Sequence, residues 1–525
     1  MPSRGQIIGL GSGGGPGLGD RDFMIGRREM LHRASVHEPD VAPSALPQKR
    51  FGNWPAIVFA LLSLSFGSAI IVANPPLRGP DEISHFLRIY SYTRGELLPV
   101  AEIDGRKGVF VERALYDRLS FFKNSGEWFA AFLQQRKGEW FARTREEGVR
   151  YGQIMAEYRD ITGAGGDEAA QTPVFAPFAG TEGYSPVAYA PYILTAVIGR
   201  LFSLDLPELL FLMRFLGLVV FTAVAAYAIA VTPALKWAFV LVAMLPVSLY
   251  NRVVLSADGA ALSYALVITA LCFRAAWNPS AGRVWERSLW MTLCVLAKQP
   301  QVVFVLLELM AGRLRELPRR WSSLAIVVLP GVILSPLWVV GVSADVAAWR
   351  VREGHNYPAE QFDPLWKLSY MWEHPFHFPL AAWTALSEWG APLWPELIGV
   401  LAWQDVLLRP WTYLVLTVLL LLAPLQKLPL DGATRARVAV MTGLAVLSYI
   451  VMVYLIFFLT YTPVDSPHVL GVQGRYFVIA LPMAAIFMAS LINLELPRGT
   501  PALIGVTGSM IAGITTVDAV LQAHW

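Results

Sequence analysis

Residues 54–73 read Trp-Pro-Ala-Ile-Val-Phe-Ala-Leu-Leu-Ser-Leu-Ser-Phe-Gly-Ser-Ala-Ile-Ile-Val-Ala, without a single charge. At about 1.5 Å per residue, a helix of this length crosses a hydrocarbon core of roughly 30 Å. The tail before it is long, and no small-residue cleavage site precedes the polar turn Asn74-Pro75-Pro76. The segment therefore reads as an anchor that stays in the membrane, not as a signal peptide.

The rest of the chain agrees. Hydrophobic residues make up 55% and charged residues 15% of the 525 positions, and the mean hydropathy is +0.48, which excludes a string of soluble domains. Further blocks with few or no charges run over 184–203, 209–231, 237–251, 259–273, 286–297, 301–312, 321–342, 411–426, 438–460, 476–493 and 500–517. The net charge of +3 comes from 42 basic and 39 acidic side chains, so no bulk field recommends nucleic acid as a partner. Cys272 and Cys294 both lie inside apolar runs and read as packing residues, not as a disulfide framework.

The expected organisation is a disordered, Gly-rich and basic cytoplasmic tail over 1–50, a first transmembrane helix over 51–73, and an exoplasmic loop with interfacial helices over 74–208. Transmembrane helices including a short hairpin follow over 209–342, then a second exoplasmic or interfacial region over 343–410 and C-terminal transmembrane helices over 411–525. Basic residues in short connections mark the cytoplasmic side. If 286–297 and 301–312 form a hairpin of short helices, one face collects Lys236, Arg274, Arg283, Arg287, Arg313, Arg315, Arg319, Arg320, Lys427, Arg435, Arg437 and Arg498. The other keeps only Arg252, Lys298 and Arg475 in its short connections. The same count makes 184–203 an interfacial or re-entrant segment. The fold class is thus an all-α polytopic membrane protein of about eleven transmembrane helices, with the N-terminus inside and a long, partly helical first outer loop. No repeat of 20–50 residues and no inverted halves are apparent.

On this topology the few charges beside apolar helices converge on the outer face: Asp81, Glu82, His85 and Arg88 after the first helix, Asp258 opening the 259–273 helix, Lys298 at the hairpin tip, and Gln473 and Arg475 before the 476–493 helix. Each alone could simply end a helix in the headgroup layer; convergence from distant sequence is the stronger signal. Asp81 and Glu82 are adjacent, so in an extended segment they point opposite ways and do not form a carboxylate pair. If Pro80 opens a helix, Asp81 and His85 share a face at i and i+4. A carboxylate there could serve as a general base. Gly471-Val472-Gln473-Gly474-Arg475-Tyr476 lets backbone approach a ligand while the guanidinium offers a fork suited to phosphate, and with Lys298 it makes an electropositive pocket at headgroup level. His374-Pro375-Phe376-His377 lacks a third ligand and the helix that would align its rings, so no metal is expected there. Trp366, Trp372, Trp383, Trp389, Trp394 and Trp403 read as an interfacial belt, with sugar stacking by one indole as the alternative.

The run Asn74-Pro75-Pro76-Leu77-Arg78-Gly79-Pro80-Asp81-Glu82-Ile83-Ser84-His85-Phe86, with Arg88 and Gly95, resembles the opening signature of the bacterial membrane family called domain of unknown function 2142. The resemblance continues through Tyr184-Ser185-Pro186-Val187-Ala188-Tyr189, Pro246 to Asp258, the Lys298 turn, Gly399 to Asp405 and Gly471 to Tyr476. It implies the GT-C superfamily, with protein O-mannosyltransferases and lipid A aminoarabinose transferases as relatives, and hence an exoplasmic transfer of sugar from a polyprenyl-phosphate carrier. It also implies a catalytic Asp just after the first helix, matched by Asp81, a second acid before a later helix, matched by Asp258, and a basic residue at a short-helix turn, matched by Lys298. Gln299-Pro300-Gln301 lacks the aromatic expected after that lysine, and Ala402-Trp403 stands where a Gly-Trp pair is expected.

The expected roles are then catalysis for Asp81, with Glu82 as its understudy; orientation of the acceptor or of a cation for Asp258 and His85; and binding of the donor phosphate for Lys298, Arg475, Gln473 and Arg88. No cofactor is required on this reading, and a divalent cation, Mg or Mn, is left open. The partners are the polyprenyl-phosphate sugar, an exoplasmic glycan, lipid or protein acceptor, and membrane lipid, in a bacterial inner membrane. The rival expectation is a transporter or flippase of a lipid-linked or anionic cell-envelope substrate. Such a protein should place its ionisable residues near the midplane, not at one surface.

Overall fold

The structure, a computed structural model, describes residues 53–103, 105–122, 151–163, 171–279, 282–312, 316–342, 358–492, 494 and 496–525. The tail over 1–50, the basic residues Arg313 and Arg315, and the part of the second loop over 343–357 lie outside them. Among the described residues, seven helices are long and apolar enough to cross a membrane. Together with the shorter apolar helices they make an all-α polytopic membrane protein. The long ones are α1 (Trp54–Ala73), α6 (Leu206–Val231), α9 (Ala257–Trp277), the greater part of α11 (Leu317–Val342), α16 (Gly432–Thr460), the continuous segment Gly474–Ile492 that ends in α17 (Leu481–Ile492), and α18 (Thr500–His524).

The other four expected spans are short. Residues 237–251 form two helices, α7 (Lys236–Met244) and α8 (Pro246–Val253), broken at Leu245, because a proline removes a backbone donor and clashes with the preceding turn. The remaining three are α10 (Val284–Ala297), the 3₁₀ segment Gln299–Ala311 and α15 (Pro410–Leu422). The chain reverses at Lys298, so Arg287 on α10 faces Glu308 on the 3₁₀ segment in a bidentate pair at 2.7 and 2.8 Å. Arg287, counted above among loop charges, is thus a buried partner of Glu308 and carries no surface signal.

Packing follows side-chain size. One stripe of α1, Phe59, Ser63, Gly67 and Ile70, is buried, while Trp54, Ile57, Leu61 and Val72 stay exposed, as a helix apolar all round requires when one side meets lipid. A Cβ on Gly67 would stand 2.6 Å from Leu218 of α6, so glycine sets the closeness of that pair. Helix α9 is enclosed along nearly its whole length, and Gly259, Ala260, Ala261, Ser263 and Ala265 let neighbours approach it on every side.

The first long loop carries α2 (Glu82–Thr93), a helix α3 over 113–122, α4 (Tyr151–Gly163) and α5 (Pro186–Leu201). It also holds a small antiparallel sheet that the helical expectation missed: β1 (Ala101–Ile103), β2 (Arg106–Glu112) and β3 (Pro173–Pro177), in the order β1-β2-β3. The second region holds α12 (Pro364–Glu373), α13 (His377–Trp389) and α14 (Leu393–Gly399), then a two-residue hairpin, β4 (Val400–Leu401) with β5 (Val406–Leu407). All six tryptophans of the belt are exposed on or beside these elements.

Candidate functional site

The turn after α1 is built like a bracket. Arg214 of α6 donates to the carbonyls of Asn74 and Pro75, both at 2.9 Å, and clamps Glu82 through its Nε at 2.8 Å and Nη2 at 2.6 Å. The Glu82 carboxylate also accepts from the backbone of Gly79 at 2.8 Å and Leu255 at 3.0 Å. Arg78 reaches across to Asp405 at 2.9 Å and fastens the same turn to the β4–β5 hairpin. Asp81, held between these anchors, has φ +54°, a left-handed conformation that costs a residue other than glycine of order 1 kcal/mol or more. Its carboxylate makes no helix-capping bond, although it occupies the N-cap of α2.

Three other segments face it. Asp258, at the start of α9, forms an ion pair with Lys298 at the reversal between α10 and the 3₁₀ segment. The Lys298 ammonium also lies 4.9 Å from the centre of the Tyr476 ring. Arg475 stands 3.8 Å from the Asp81 carboxylate and 5.2 Å over the same tyrosine. The turn bearing Arg475 is pinned from behind: Gly474 donates its N–H to the buried Glu396 of α14 at 2.6 Å. A Cβ on Gly474 would meet the Leu393 carbonyl at 1.9 Å, so only glycine fits this approach. The far wall is aromatic, with Tyr184 and Tyr189 5.5 and 5.6 Å from the His85 ring.

The electrostatics divide these groups. The Asp81 side chain keeps 45% of its surface open, yet the protein around it desolvates the charge and raises its pKa, against the pull of Arg475. His85, bonded through Nδ1 to the Tyr189 hydroxyl at 2.5 Å, is driven down to about 3 by burial and is neutral at neutral pH. Burial pushes Tyr184 up to about 12. Burial also works against the Lys298 ammonium, but the adjoining Asp258 carboxylate outweighs it and holds its pKa above the usual lysine range.

The structure therefore brings together Asp81, Asp258, Lys298 and Arg475, with His85 beside them on α2. It does not bring Glu82, whose two oxygens are consumed by Arg214 and backbone donors and turned from the recess; the understudy role expected for it has no open atom to act with. Arg88 also stands apart, fully buried, donating to Ser91 at 3.1 Å and the Leu97 carbonyl at 3.1 Å and lying 4.1 Å from the Tyr92 ring. It serves the packing of α2, and only its Nε has no partner among the described residues. Gln473 adjoins Arg475, and its buried Oε1 has no partner among the described residues. Asp258 and Asp81 are the carboxylates a divalent cation would use, and each already faces a cation, so the donor set suits an anion better than a metal. Glu396 carries no signal in the sequence, where it lies amid tryptophans and prolines and resembles any interfacial acid. An apolar cavity of about 390 Å³ lined by Trp394, Pro395, Pro410, Tyr413, Leu414 and Thr417 includes none of these groups.

A family model described as a predicted membrane protein, DUF2142, matches residues 64–486. The chain belongs to the DUF2142 family. That match spans the bracket, the Asp258–Lys298 pair and the Arg475 turn, so the whole recess lies within the DUF2142 region. No curated protein and no solved structure matches the chain.

Proposed function

We propose that this multi-pass membrane protein is a GT-C-type glycosyltransferase that moves a sugar from a polyprenyl phosphate to an exoplasmic glycan, lipid or protein acceptor, in a bacterial inner membrane with the N-terminus cytoplasmic. One observation carries the reading: an open carboxylate, Asp81, faces two cations, Lys298 and Arg475, delivered from distant segments to the same end of the bundle. Asp81 takes the proton of an acceptor hydroxyl. The freed oxygen attacks the anomeric carbon from the face opposite the lipid, the bond from that carbon to the phosphate oxygen breaks, and the configuration inverts. Charge developing on the departing lipid phosphate is met by Arg475 and Lys298, whose positions are set in advance by Glu396 and Asp258. The raised pKa of Asp81 suits a base, since basicity strengthens with pKa.

The test is reconstitution with polyprenyl-phosphate sugars and detection of released polyprenyl phosphate. Asp81→Asn should lower turnover by about 10²- to 10⁴-fold, the usual worth of a positioned base. The acid limb of the native rate profile should sit above the ordinary carboxylate range. Unchanged turnover in Asp81→Asn would sink the assignment.

A further inference from the structure

Among the described residues, most buried cations face an acid or at least two acceptors. Arg78 has Asp405, Arg214 has Glu82, Arg287 has Glu308, and Lys298 has Asp258. The Lys367 ammonium is surrounded by the carbonyls of Phe458, Leu459 and Thr462 at 2.5 to 3.1 Å, and Arg88 donates to the Ser91 hydroxyl and the Leu97 carbonyl, both at 3.1 Å. Arg252 breaks the pattern. It lies on α8 with no exposed surface, and its one hydrogen bond runs from Nη2 to the Ser63 hydroxyl at 3.3 Å. Its guanidinium lies 5.3 Å from the Phe59 ring, while Nε and Nη1 have no partner among the described residues.

The sequence placed Arg252 in a short connection at one surface; the structure sends its side chain inward. Ser63 is the tenth residue of the twenty-residue α1, so the guanidinium reaches the middle of that span, where an unmatched charge is most costly. Ser63 in turn bonds Thr222 of α6 at 2.8 Å. Two hydroxyls sharing one bond leave a second hydroxyl proton to donate, so the place offers three kinds of donor, the Nε–H, the Nη1–H and that O–H. No carboxylate comes within ion-pair distance of Arg252 among the described residues. A guanidinium cannot shed its proton to escape the cost, and donors in excess around a fixed positive charge describe the shell of an anion.

We propose that Arg252, with the Ser63 and Thr222 hydroxyls, holds a small monovalent anion of the halide class between α1, α6 and α8. The site is separate from the Asp81 recess and does not depend on the transferase reading. It acts as a counter-ion that lets α8 pack inside the bundle, in the place a glutamate takes for Arg214.

The probe is bromide. Protein purified in detergent and moved from sodium gluconate to sodium bromide at constant ionic strength should show a saturable rise in unfolding temperature, and Arg252→Met should lose that rise. An equal shift in both salts, no shift, or a shift that Arg252→Met retains would each overturn the site. Because the variant could fail to fold, bromide anomalous diffraction from the native protein gives an independent decision. A peak within hydrogen-bond distance of Nε and Nη1 supports the proposal, and ordered water only at that position overturns it.

Discussion

Asp81 and Glu82 are neighbours in sequence, and their carboxylates live in different worlds. Glu82 is sealed, with Arg214 and two backbone donors taking every acceptor position at 2.6 to 3.0 Å. Asp81 is strained, nearly half open, and faces its nearest cation at 3.8 Å. The first arrangement is what a charge needs to survive inside an apolar bundle, and it leaves nothing for a ligand. The second leaves charge incompletely neutralised on both partners, which a ligand can complete. The two adjacent acids therefore serve opposite ends, and exposure together with distance to the nearest cation tells them apart.

The sharpest way to break this comparison is to strip a partner from the sealed side. Arg214→Met leaves Glu82 buried and unpaired and should cost about 3–5 kcal/mol of stability, seen as a large fall in unfolding temperature in detergent. Asp81→Asn should leave that temperature nearly unchanged, because an open group with a distant partner contributes little to folding. Comparable losses in the two variants would mean that the division between sealed and open groups is wrong.

The open side should respond in binding instead. Arg475→Met removes a guanidinium whose bond to a phosphate is worth about 1.5–3 kcal/mol, so retention of a polyprenyl phosphate should weaken roughly tenfold to hundredfold. Titration of the lipid into purified protein measures it, and unaltered affinity would remove Arg475 from the donor site. Gly474→Ala tests the same turn from behind. The added methyl meets the Leu393 carbonyl, the bond to Glu396 must stretch, and strain of about 1–3 kcal/mol is expected. Weakened lipid binding should accompany it, although the substituted residue offers no group to the ligand.

How much of this could be read in the sequence depends on what each residue contrasts with. Asp81, Asp258, Lys298 and Arg475 were visible because a charge next to a long apolar run is conspicuous, and their common end of the bundle followed from the alternation of helices. Which of Asp81 and Glu82 faces the recess was not visible, since it depends on the left-handed turn at Asp81 and on Arg214, more than a hundred residues away. Glu396 was hidden because nothing local distinguishes it from an acid in the headgroup layer. Arg252 and Arg287 were misread as loop charges, because hydropathy places a residue along the chain but not the direction its side chain takes. The short helices around Leu245 and Lys298 were legible as apolar blocks, but 237–251 was read as one segment, and the break before Pro246 went unread.

The mildest expected effect separates burial from catalysis at His85. Burial depresses its pKa from 6.5 to about 3, so the unfolded chain takes up the proton first as the medium is acidified. The stability contributed by the neutral imidazole is then fully present above about pH 6.5 and is lost progressively as the pH falls toward 3, with a slope of at most about 1.4 kcal/mol per pH unit. Unfolding temperatures of native protein and His85→Gln, measured from pH 7 to 5, should converge on acidification, because the variant has no imidazole to charge. A parallel decline in both would assign the acid sensitivity to other groups. The position of the acid limb of turnover should stay the same in His85→Gln, since that limb is ascribed to Asp81, and a displaced limb would show that the imidazole, one helical turn from Asp81, shares the titration.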